Sequence, residues 1–205
     1  MEIRRINSYR DMRFSQRVLN QHGAYLVDGE PYAFEITGPD CAQLSGAEPS
    51  VFPELIEEFR FHAPHIVRFY DVEGQIIEAF PQPEILTIPL NQIQPSQFFV
   101  DRDKLAAVRR FLHTGCDVVI QVLPWEERFI ALDGHTRLYW AAAEGADAVR
   151  AVVSETDDWI WTFVREAEKR GIRRPQDLEL LDHEDYVIRW DRYCDQVFGR
   201  EEALS

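Results

Sequence analysis

The stretch RFIALDGHTRLYWAAAEG, Arg128–Gly145, limits the fold more than any other part of this chain. RFIAL is a short run of β-formers and predicts a buried strand, while LYWAAAE is built of helix formers and stops at Gly145. The turn between them is short and polar, so the helix must begin, at about His135, beside the end of the strand. The first N–H groups of such a helix have no intrahelical acceptor and lie at the positive end of its dipole. Asp133–Arg137 therefore predicts an anion site. Gly134 permits positive φ and close approach of a ligand to the backbone, Arg137 offers a planar fork for phosphate oxygens, and His135 and Thr136 add donors. Asp133 would repel an anion, but it makes sense as the ligand of a divalent cation bridging it to the phosphates. The competing reading is plain turn chemistry, with Asp133 or Thr136 capping the helix and Arg137 paired with an acid such as Glu144.

The flanking sequence predicts an α+β protein in three parts. Residues 1–85 read as an N-terminal α/β extension. There, SYRDMRFSQRVLNQH has helical spacing of Met12, Val18 and Leu19 with Ser8 or Asp11 as cap, and AYLVDGEPYAFEI is a hairpin turning at Asp28-Gly29. GPDCAQLSGAEPS reads as a loop, Pro53 opens a helix PELIEEFRFHA, and a second hairpin turns at Glu73-Gly74. PQPE at 81–84 punctuates the chain. Residues 86–154 then give a strand in LTIPLNQIQP, a helix DKLAAVRRFLHTG, strands in DVVIQVLPW and RFIAL, the turn and helix above, and a strand AVRAVV. The helix carries Leu105, Val108 and Leu112 on one face and ends at Gly115; the last strand turns Val149, Ala151 and Val153 inward. Residues 155–205 read as helical: Asp157 or Asp158 caps DDWIWTFVREAEKRG, and PQDLELLDHEDYVIRWDRYCDQVFG forms one helix or two before a tail REEALS.

Composition narrows the function classes. A hydrophobic share of 45% suits a folded core and argues against long disorder. The longest apolar runs are too short to span a bilayer, and no apolar segment follows the basic N-terminus, so a cytoplasmic location is expected. Cys41, Cys116 and Cys194 stand far apart in no metal-ligand spacing and are expected to be free thiols. A net charge of −14 repels a phosphate backbone, so DNA is an unfavourable partner.

The order IPLNQIQPSQFF, helix, DVVIQVLP, RFIALDGHTRLYWAAAEG, VRAVV resembles the ParB/sulfiredoxin superfamily domain. The likeness runs from about Leu86 to Ser154, on the strand-and-turn IPLNQIQP and the strand-turn-helix centred on residues 133–137. It implies a mixed-sheet domain that places nucleotide phosphates on Asp133–Arg137, with magnesium held through Asp133 and ATP, ADP or CTP as the nucleotide. Partition proteins of this superfamily carry a turn of the form GERR, and sulfiredoxins carry GCHR. The turn here, DGHTR, is most similar to the DGHHR of free serine kinases, differing at Thr136 alone. In those kinases the general base is a Glu two residues after the proline of the first motif. In the first-motif loop Pro95, Ser96, Gln97 that place holds Gln97, which cannot accept a proton at neutral pH. Asp101 or Asp103 could supply the missing carboxylate if the loop folds back.

Two functions of different class follow as expectations. One is a phosphotransferase acting on a small-molecule (amino-acid) hydroxyl, with nucleotide and magnesium on Asp133–Arg137 and Asp101 or Asp103 as base. The other is a non-catalytic regulatory or interaction module whose turn holds a phosphate-bearing effector. Elsewhere, His62 and His65 bracket Pro64 and read as surface or packing residues rather than metal ligands. Trp159, Trp161, Phe163, Trp190 and Tyr193 read as helix packing or a homodimer interface, and DLELLDHEDY as a solvated helix face.

Overall fold

The computed structural model describes residues 1–202, with side chains described to Gly199. The final residues of the tail REEALS, 203–205, lie outside the described residues. Helices and mixed sheets occur together in an α+β fold. The chain divides into two compact units, Met1–Leu86 with Arg110–His113, and Thr87–Arg109 with Thr114–Ser205.

In the first unit the strands are β1 (Ile3–Arg5), β2 (Ala24–Val27), β3 (Glu30–Ile36), β4 (Cys41–Ser45), β5 (Arg68–Tyr70) and β6 (Ile76–Ala79). They form one six-stranded sheet in sequence order, antiparallel except for β4 beside β5. Both expected hairpins are present. Asp28 and Gly29 take φ of 49° and 92°, the pair of positive values that a two-residue hairpin turn needs. Helices α1 (Gln16–Asn20) and α2 (Phe52–His62) complete the unit. Leu55, Ile56 and Phe59 of α2 pack on Phe34, Leu44 and Phe69 of the sheet, with Phe34 and Phe59 stacked at 4.2 Å. Three expectations need correction. The first helix starts only at Gln16, capped by the Ser15 hydroxyl rather than by Ser8 or Asp11, and Met12 is 99% exposed. The stretch GPDCAQLSGAEPS contains β4, because alternate residues Ala42 and Leu44 bury fully against the helix layer. Strand β1 had no expectation at all.

The second unit holds a five-stranded sheet in the order β7 (Leu86–Pro89), β12 (Ala148–Val153), β10 (Val119–Trp125), β11 (Arg128–Ala131), β8 (Ile93–Pro95). Strands β10 and β11 form an antiparallel hairpin, while β12 runs parallel to β10 and β8 parallel to β11. A separate parallel pair joins β9 (Phe99–Asp101) to β13 (Glu179–Leu181). The helices are α3 (Arg102–Val108), α4 (His135–Ala143), α5 (Ile160–Lys169), α6 (His183–Tyr186) and α7 (Arg192–Glu202), with a π turn, Val187–Asp191, between the last two. Ile160 and Val164 of α5 bury Ile130 of β11, with Leu123 and Trp125 packed around them.

Here too the sequence expectations need adjustment. LTIPLNQIQP gives two strands rather than one. Helix α3 stops at Val108 instead of reaching Gly115, although Leu112 is still buried. Val152, not Val153, is buried in β12. The N-cap of α5 is Trp159, with the backbone carbonyls of Asp157 and Asp158 closing the first turn. DLELLDHEDY is not one solvated helix face: Glu179–Leu181 is strand, and Leu181 and Tyr186 are buried. Helix α4, by contrast, begins at His135 as expected and closes at Gly145, whose φ is 75°.

Candidate functional site

Gly134 is the N-cap of α4, with φ of 84° and ψ of 22°, and contributes no side-chain cap. The turn needs glycine on two counts. The left-handed backbone disfavours any Cβ, and a Cβ here would come within 2.7 Å of Ile120 Cγ2 and 3.0 Å of Arg137 Nη2. Because the cap residue is glycine, the first-turn amides of α4 receive no side-chain acceptor from the cap position. A backbone this closely fitted holds those amides in a fixed direction.

His135, the first residue of α4, points inward. Its ring is 6% exposed, and its Nε2 accepts the backbone N–H groups of Ser96 at 3.1 Å and Gln97 at 3.2 Å. The Ser96 hydroxyl lies 3.3 Å from the same nitrogen but donates its one proton to the Ala131 carbonyl at 2.7 Å. Two amide donors aimed at one nitrogen require it to be unprotonated, so the ring carries its proton on Nδ1. Burial, the largest cause, pushes the imidazole from the ordinary 6.5 down to about 4, with nearby Asp133 opposing and Arg137 assisting. Of the two ring nitrogens, Nε2 is thereby an acceptor, which leaves Nδ1 as the ring's one donor. Nε2 is spent as an acceptor that clasps the first-motif loop, Pro95–Gln97, to the turn. The two segments that carried the sequence reading are thus brought together by one side chain.

Arg137 is also anchored. Its Nη1 donates to the Val119 carbonyl at 2.5 Å, and its Nη2 meets Asp133 Oδ2 at 3.0 Å. The acid that pairs with it is Asp133, not Glu144. Two of the five guanidinium donors are engaged in this way, and the side chain retains 22% exposure. Asp133 is half exposed beside it.

Gln97 does not face the turn as a base would. Its side-chain amide donates to the Phe99 carbonyl and to the Tyr186 hydroxyl, the latter at 3.1 Å. The Asp101 side chain is 1% exposed and caps α3: Oδ1 accepts the Asp103 amide at 2.8 Å, and Oδ2 meets Nδ1 of His183 at 2.8 Å. Both of its oxygens are engaged, so Asp101 is not the free carboxylate the sequence suggested. Asp103 is exposed and lines a cleft of about 410 Å³ together with Arg102, Asp182, His183, Glu184 and Asp185. His183, Tyr186 and Lys104, whose ammonium sits 4.7 Å over the Tyr186 ring, were missed. No local pattern marks them, since His183 meets Asp101 across 82 residues of chain.

The remaining candidates are packing residues. Trp159, Phe163, Trp190 and Tyr193 contact one another and Phe98 at 4.8–6.0 Å between ring centres. Among the described residues no group of three or more His, Cys, Asp or Glu is arranged to hold a metal, and the three cysteines are free. No helix among the described residues is long and apolar enough to cross a membrane.

No family model matches the sequence. No curated protein matches it either. Among solved structures, "Crystal structure of protein Atu1540 from Agrobacterium tumefaciens" aligns with 49% of this chain and 63% of that one, at 17% identity and a TM-score of 0.34. The chain thus spans less than two thirds of that structure, and a likeness of this size carries no argument about fold or chemistry.

Proposed function

We propose that the second unit is a ParB/sulfiredoxin-like domain that binds the phosphates of a nucleotide at the start of α4. The observation that carries the reading is the uncapped, glycine-fixed N-terminus of α4, locked to the first-motif loop by His135. Fixed amides at a helix start favour an anion without having to reorganise around it. Arg137, paired with Asp133, brings the guanidinium donors beyond the two already engaged to the same turn. A single, half-exposed carboxylate at Asp133 suits magnesium, which takes most of its ligands from phosphates and water.

What the ligand does there divides into two readings. Gln97, tied to Phe99 and Tyr186, cannot act as a base, and this favours a module that senses a phosphate-bearing effector. A phosphotransferase requires a base from elsewhere in the unit.

Calorimetric titration and thermal shift with ATP, ADP and CTP, with and without magnesium, test the binding claim. A nucleotide at a hundredfold its Kd should stabilise the chain by about 2.7 kcal/mol. Gly134→Ala and Arg137→Ala should abolish the gain, and Asp133→Asn should remove its magnesium dependence. A wild-type chain that no nucleotide stabilises would exclude the proposal.

A further inference from the structure

We propose that the loop between β1 and α1 is an arginine-flanked, methionine-tipped knob that docks on the acidic face around α6 of a second copy of this chain. The contact lies outside the phosphate-binding turn and does not depend on it.

The knob begins as a charge asymmetry in the sequence. Up to residue 17 the chain holds Arg4, Arg5, Arg10, Arg13 and Arg17 against only Glu2 and Asp11, although its net charge is −14. The loop, residues 6–15, is tied down at both ends and across its middle. Ile6 and Phe14 pack on Val18 and Leu19, the Ile6 amide donates to the Ala24 carbonyl at 2.8 Å, and Tyr9 Oη lies 2.8 Å from His22 Nε2. At the tip the Asp11 carboxylate accepts the Arg13 backbone amide at 3.0 Å, and it accepts the Arg13 guanidinium through Nε at 3.0 Å and Nη2 at 2.6 Å. Braced in this way, the tip carries Met12 outward, 99% exposed, while Arg10 has no ion pair among the described residues. A braced tip has little left to order on binding. Methionine and arginine are also the side chains that protein–protein contacts favour, methionine because its unbranched thioether adapts to its partner.

The same chain carries the complementary surface. Asp103, Asp182, Glu184 and Asp185 line a cleft of about 410 Å³ together with Arg102 and His183. Arg102 answers Asp182 at 2.6 Å, whereas Glu184 and Asp185 have no ion pair among the described residues. Shortly after them in the chain come two exposed aliphatic side chains, Val187 at 37% and Ile188 at 51%. An apolar tip beside arginines thus has its inverse in an apolar pair beside acids. Met12 matches Val187 and Ile188, and Arg10 matches the unpaired carboxylates.

Net charge selects this occupant over an extended polyanion. DNA or an anionic bilayer meets the field of the whole chain and is repelled. A second copy offers a local acidic patch, and charges further off are screened beyond about 8 Å at physiological salt. Because knob and socket are different surfaces, the contact is heterologous and continues from copy to copy, as a ring or an open chain.

Sedimentation velocity of the full chain, from about 10 μM to 1 mM at physiological salt, reads the contact. The weight-average mass should rise with concentration. Arg10→Glu with Met12→Ser should sediment as a monomer, and so should Glu184→Lys with Asp185→Lys, each with Kd raised at least about tenfold. These four side chains make no hydrogen bond or ion pair among the described residues, so circular dichroism of both variants should match wild type. Mixed one to one, the two variants should form a dimer and stop there, because each keeps the surface the other lost. Wild type that stays monomeric across the range overturns the proposal, whether or not it binds phosphatidylserine vesicles or DNA instead. So does a mixture that fails to associate, or either variant associating alone as wild type does.

Discussion

At His135 the imidazole must stay neutral for the turn to hold, since a proton on Nε2 would face the amides of Ser96 and Gln97. The unfolded chain titrates this ring near 6.5 and the folded chain near 4, so the unfolded chain alone takes up the proton between those values. Stability from this group is complete above pH 6.5, falls as pH is lowered toward 4, and levels off below that. The gap corresponds to about 3 kcal/mol at a single site. Urea melts of wild type and His135→Gln between pH 7 and 4 should show a steeper loss in wild type, whereas parallel slopes would mean the ring is not held neutral.

Gln97 gives a second residue-scale expectation. Its amide donates to a carbonyl and a hydroxyl, so Gln97→Glu would set a carboxylate against the Phe99 carbonyl. Restoring an acid there should cost about 1–3 kcal/mol in a denaturant melt instead of creating a base. An unchanged midpoint would contradict the contact. The shape of the turn was legible because Gly134 and the helix start at His135 lie side by side in the sequence. The inward aim of His135 was not, because its partners lie 38 and 39 positions away.

Elements were legible where they were long or sharply punctuated. The hairpins at Asp28-Gly29 and Glu73-Gly74, helix α2 and the run from β10 through α4 all carry strong local signals. Strands β1, β8, β9 and β13 are three residues each, too short to display a period of two, and β4 hides in a stretch rich in Gly, Pro and Ser. Pairing fixed them: β9 and β13 exist as strands because they bond each other across the chain. The first unit's core depends on one such paired layer. Phe34 of β3 is fully buried, stacked on Phe59 and edge-on to Tyr25 and Phe69. Phe34→Ala should cost about 3–5 kcal/mol, read as a lowered urea midpoint. A loss below about 1 kcal/mol would mean that the site repacks or that the ring is not enclosed.

For the whole molecule, charge and domain organisation set the terms on which any anion is bound. A net charge of −14 works against polyanions at long range, so an anion site on this chain depends on local, directed donors. The turn at the start of α4 supplies them within one unit. Two-dimensional ¹H–¹⁵N spectra of the full chain, titrated with magnesium-ATP, test this most directly. The amides of Gly134, Thr136 and Arg137 should shift first and furthest, with Ser96 and Gln97 following through the His135 clasp. Saturating nucleotide that leaves these five amides in place would contradict the account.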